Sequence, residues 1–67
     1  MKIQDFENAM PYGMEIQEIK IRHSQVTACI CKAGSQDVVF NSLGQAFKYE
    51  DDHFVTERLP EFDLKFE

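Results

Sequence analysis

Turn-forming residues recur at short intervals along this 67-residue chain, and no stretch between them exceeds ten residues. They fall at Pro11-Tyr12-Gly13, His23-Ser24-Gln25, Ala33-Gly34-Ser35-Gln36, Asn41-Ser42-Leu43-Gly44, Glu50-Asp51-Asp52-His53 and Leu59-Pro60. Segments this short, closed by such residues, read as strands joined by tight turns. None approaches the roughly 20 apolar residues that a membrane-crossing helix needs.

The first segment is the exception to the strand pattern. Ile3, Phe6 and Met10 fall at i, i+3 and i+7, which predicts a short helix over residues 2–10. Asp5 and Glu7 suit its N-terminal dipole, and Pro11 and Gly13 end it. So short a helix must lay its apolar edge on something else to persist.

Residues 14–32 read as two strands. Met14 and Ile16 alternate in one phase and Ile19 and Ile21 in the other, so a bulge is required near Gln17-Glu18. A helical reading competes, through Ile16, Ile19 and His23. Val26, Ala28 and Ile30 then alternate with Thr27, Cys29 and Cys31. Asp37 to Phe40 form a third strand. Asn41 with Gly44 three residues later predicts a type I turn closed by a G1 bulge. Against it stands a helix capped by Ser42 and Gln45, which Gly44 disfavours. Phe47 and Tyr49 mark a fourth strand and Phe54 to Arg58 a fifth. Beyond Pro60, the alternation of Phe62, Leu64 and Phe66 with Asp63, Lys65 and Glu67 predicts a terminal strand, placed at an edge or completing a partner.

The expected fold is therefore α+β and mostly β. A short N-terminal helix packs on a curled antiparallel sheet of about five strands, in one domain over residues 1–67. A domain of this size buries only about 60% of the surface of its unfolded chain, so a binding surface is easier to build than a walled pocket.

The charge is unevenly spread. Residues 47–67 hold seven acids and three bases, net −4 of the chain's −5. Such a surface repels nucleic acid and attracts basic proteins. Lys20, Arg22 and Lys32 do not offset twelve acids, so direct nucleic-acid binding is not expected.

Motifs for chemistry are weak. Cys29 and Cys31 on one strand face have Cα atoms roughly 6.5 Å apart, poorly placed for a disulfide, and read as free thiols of a reducing compartment. Cys-x-Cys with the distant His23 and His53 lacks the paired spacing of a zinc knuckle. Reach from His23 to Cys29 is the one nucleophile–base candidate, without a site to receive a substrate. Glu50-Asp51-Asp52 lacks the glycine and distal glutamate of a calcium loop. No enzyme, metal or cofactor is expected, and the first ten residues have no signal-peptide pattern.

What remains is the acidic, aromatic last third. In the plain reading, Phe47, Phe54, Phe62 and Phe66 are core and the acids merely solvated. The sharper reading makes Tyr49, Glu50, Asp51, Asp52, Glu57, Glu61 and Asp63 a protein-binding surface, with Tyr12 and Tyr49 as anchors. The expected function is then a cytoplasmic, non-enzymatic inhibitor or adaptor. Its partner is a basic, nucleic-acid-handling protein or nucleoprotein complex, whose phosphate site the acids imitate. Phage and mobile-element inhibitors offer an analogy of size and charge only. The alternative is an oligomeric or structural subunit, such as a homodimer, paired through the C-terminal strand.

Overall fold

The computed structural model describes residues 3–11, 13–51 and 53–65. Helix α1 (Ile3–Ala9) precedes strands β1 (Met14–Arg22), β2 (Gln25–Ala33), β3 (Gln36–Asn41), β4 (Ala46–Glu50) and β5 (His53–Arg58), and a 3-10 turn (Pro60–Phe62) follows. The strands form one antiparallel meander in the order β1-β2-β3-β4-β5. The expected architecture is present, and both helical readings, over 14–24 and 42–50, give way to strands.

The turns show why. His23 and Ser24 both take positive φ, 53° and 63°, as a two-residue hairpin turn of matching twist requires. Gly34 supplies φ 64° between β2 and β3. In the next loop Asn41 Oδ1 accepts the N–H of Leu43 (2.9 Å) and of Gln45 (3.0 Å), while Gly44 sits at φ 78°. Asn41 Nδ2 in turn donates to Gln45 Oε1 (2.9 Å). The loop therefore closes as the hairpin turn the Asn–Gly spacing predicts.

One face of the sheet, covered by α1 and the C-terminal segment, holds the core. Phe6, Val26, Cys29, Cys31, Val38, Phe40, Ala46, Leu59 and Leu64 form it, with Met10, Met14, Ile16, Ile19 and Phe62 packed alongside. Two bulges bring these residues to one side. The expected one lies between Ile16 and Glu18, so that Ile16 faces Cys31 and Ile19 faces Cys29. The second lies at Thr27, between the pairs Lys20–Ala28 and Ile21–Val26. There the Thr27 hydroxyl donates to the Lys20 carbonyl, 3.1 Å away. It inverts the phase of β2, so Val26 shares the core with Cys29 and Cys31 rather than with Ala28 and Ile30. Ile30 is buried instead on the opposite face, where it pairs with Val39.

The predicted terminal strand is a correction. Pro60, which lacks an N–H, opens a 3-10 turn in which Phe62 and Asp63 donate to the carbonyls of Leu59 and Pro60. Residues 63–65 belong to no strand, and Phe66 lies outside the described residues. The segment still turns its alternating side inward. Leu59 N–H reaches the Ala46 carbonyl and Leu64 N–H the Gly44 carbonyl, both at 2.9 Å, so Leu64 is buried without a ladder. Leu64→Ala is expected to cost about 2–5 kcal/mol of unfolding free energy. The exposed neighbour Lys65→Ala should stay within about 0.5 kcal/mol in the same denaturant titration. Equal small effects would mean that the segment does not hold the sheet.

Candidate protein-docking site

The β4–β5 hairpin carries most of the predicted site. Glu50 pairs with His53 across its tip, Tyr49 with Phe54, and Phe47 with Arg58. Between the last two pairs β4 has one residue and β5 three, a large irregularity in the outermost strand. It bends β5 and interrupts its outer edge, a device that discourages nonspecific strand addition.

Phe47, Tyr49 and Phe54 gather on the sheet face opposite α1. Phe47 stands beside Val39 there, as its cross-strand partner, and its ring meets that of Phe54 at 5.1 Å between centroids. The Arg58 guanidinium lies 5.1 Å from the centre of the Phe47 ring. Phe54 is nevertheless 50% exposed. The plain reading of the aromatics is thus corrected. Phe54 is surface, Phe47 and Phe62 are half-buried, and among the described residues the fully buried aromatics are Phe6 and Phe40. The hexad from His53 to Arg58 has no clean alternation, so periodicity could not separate a core Phe54 from an exposed one.

The acids fall into two groups. Glu50, Asp51, Glu57 and Glu61 are exposed, at the hairpin tip, on β5 and on the 3-10 turn. Glu50 makes one exposed ion pair, 3.4 Å to Lys48. Asp51, Glu57 and Glu61 make none among the described residues. Asp51 turns the chain at φ 52°, and its carbonyl oxygen lies 3.1 Å from His53 Nδ1. Asp52 and Tyr12 lie outside the described residues.

Asp63 stands apart because both its oxygens are engaged within the chain. Oδ1 accepts the Ala46 N–H at 2.7 Å and Oδ2 meets Arg58 Nη2 at 2.6 Å. Asp63 thus anchors the C-terminal segment to the start of β4 and holds Arg58 in place over Phe47. The Ala46 N–H above all keeps its carboxyl below the usual carboxylate range; burial opposes this, and the hydrogen bond and charge of Arg58 add to it. A depressed folded value means stability that is present above the unfolded carboxylate's pKa and lost as pH falls through the folded one. Asp63→Asn is expected to flatten the loss of stability that sets in as pH falls below about 4, the ordinary range of an unfolded aspartate. Urea midpoints measured across that range check this, and parallel curves for the two proteins would contradict it.

The other candidates are not assembled into one site. Cys29 and Cys31 are free and buried, their sulfurs 3.5 Å apart, with Met10 Sδ 3.9 Å from Cys31. The thiol contact with Cys31 lowers the pKa of Cys29 against the effect of burial; the same contact, with burial, raises that of Cys31. His23 and His53 are exposed in or beside hairpin turns, away from the buried thiols. Among the described residues no three His, Cys, Asp or Glu side chains converge on a metal position. Lys32 lies between Glu15 and Asp37 as its cross-strand partners, and Lys20 is 3.9 Å from Glu18. Two of the three bases of the first hairpin, Lys20 and Lys32, therefore stand beside acids, and Arg22 pairs with Gln25. No helix among the described residues is long and apolar enough to cross a membrane.

Comparison with protein-family models, with curated proteins and with solved structures finds no match to this chain.

Proposed function

We propose that this chain is a non-enzymatic, cytoplasmic protein-binding module, an acidic inhibitor or adaptor that docks on a basic, nucleic-acid-handling protein. The observation that carries the reading is the half-exposed Phe54, seated against Phe47 and paired across the strands with Tyr49, on the same hairpin that carries the exposed acids Glu50, Asp51 and Glu57. Interfaces are commonly built this way, with an aromatic centre giving affinity inside a charged rim. Glu50, Asp51 and Glu57 imitate a short run of phosphates along the hairpin, with Asp52 beside them in sequence and Glu61 on the turn that follows. Their charge steers the encounter with a basic surface, and Phe54 and Tyr49 supply the apolar contact. Asp63 supports the site from behind through Arg58.

The test is retention of a basic nucleic-acid-binding protein from lysate on the immobilised chain, with affinity measured at low and high salt. The reading expects binding that weakens as salt rises and falls sharply in Phe54→Ala. Binding indifferent to both would overturn it.

A further inference from the structure

We propose that β1 is a self-recognition edge, joining two copies of this chain into one continuous antiparallel sheet about a two-fold axis at Ile19. The two ends of the sheet differ. β5 is short and interrupted, whereas β1 runs for nine residues and, among the described residues, pairs only with β2. Its outer side has no strand against it. Ile21, inward by its pairing with the buried Val26, is left 49% exposed.

The faces of β1 follow from its partners. Ile16, Ile19 and Ile21 sit opposite the core residues Cys31, Cys29 and Val26, and so face inward. Glu15, Glu18, Lys20 and Arg22 face outward, and Gln17 is the residue added at the bulge. Antiparallel pairing of two such strands about Ile19 sets Ile19 against Ile19 of the second copy. Lys20 then meets Glu18. After the bulge at Gln17, Ile21 meets Ile16 and Arg22 meets Glu15. Ile16, Ile19 and Ile21 face one another and both bases of the strand face acids, by symmetry on both sides of the axis, while Met14 lies beyond the paired stretch. A slip of one residue either way sets Ile19 opposite Glu18 or opposite Lys20, so one register is selected.

A bulge and a lysine on an edge ordinarily discourage pairing. Here both are absorbed by the register. The second copy meets the bulge as β2 already does, and Lys20 exchanges its 3.9 Å contact with Glu18 of its own strand for the same residue of the other copy. Ile21 is thereby covered. The proposal does not depend on the docking role of β4–β5, which lies at the far end of each sheet and stays open in the pair.

Sedimentation velocity over a wide range of concentration reads the result. The wild-type chain is expected to be a dimer in equilibrium with monomer. Glu15→Arg or Arg22→Glu alone sets like charges opposite each other at two places and should weaken association about tenfold or more. Mixing the two variants restores both attractive pairs, so the mixture should recover the wild-type dimer. Both positions are exposed, and circular dichroism is the check that each variant folds. A wild-type chain that stays monomeric at every concentration overturns the proposal. So does a dimer insensitive to both reversals, or a mixture that fails to recover.

Discussion

Reversing Glu50, Asp51 and Glu57 together to lysine is expected to slow association with the basic partner by about 10- to 1000-fold at low salt, the span that electrostatic steering covers. All three side chains are exposed, and among the described residues only Glu50 makes an ion pair, the solvent-facing one to Lys48. Removing such charges changes little in the packing, and an exposed pair of this kind contributes about 0–1 kcal/mol. The circular dichroism spectrum should therefore remain that of the wild type. Rim charges act mainly on the encounter, so the dissociation rate should move less than the association rate. The gap between wild type and variant should also close as salt rises. Stopped-flow binding at several ionic strengths measures all of this. A folded variant with unchanged association would move the contact away from the hairpin.

Phe40→Ala is expected to be the most damaging single change to the fold. Phe40 is fully buried at the centre of the sheet, between Cys29 on β2 and Ala46 on β4. Deleting a core phenylalanine typically costs about 3–5 kcal/mol through lost burial and the cavity left behind. At roughly 0.05–0.15 kcal/mol per residue, a chain of this length has about 3–10 kcal/mol in total. The variant should thus be largely unfolded at physiological temperature. Phe54→Ala, which removes a half-exposed ring, should leave it folded. Thermal melts of the two distinguish these outcomes, and equal loss would mean that Phe54 belongs to the core after all.

The contrast between these two phenylalanines marks what sequence reasoning reaches in this chain. Strand limits were legible because the turns announce themselves chemically: Asn41 with Gly44, the Gly34 turn and Pro60 each impose a local conformation that distant contacts need not supply. The bulge near Gln17 was legible because Ile16 and Ile19 cannot otherwise share a face. Thr27 left no such mark. Just past the phase change in β2 stand two small, similar residues, Ala28 and Cys29, and either suits a core. The C-terminal segment misled for a related reason. Alternation reports which side chains are inward, and Leu64 does turn inward, but it does not report whether the backbone has a partner strand. Pro60 and the Asp63 carboxylate settle that, and the bond from Ala46 N–H to Asp63 spans seventeen positions of sequence. Asp63 accordingly looked like one more surface acid. Phe54 looked like core because its exposure depends on how far β5 bends.

The most direct measurement of the central claim is a competition. Labelled duplex or single-stranded nucleic acid is first bound to the captured partner, and the acidic chain is then titrated in while fluorescence anisotropy reports the label. If the hairpin acids occupy a phosphate site, the chain displaces the nucleic acid completely. The triple lysine variant does so only at far higher concentration, and raising the nucleic acid shifts the midpoint in proportion. A stable complex of partner, nucleic acid and acidic chain together, with the label undisplaced, would contradict the account.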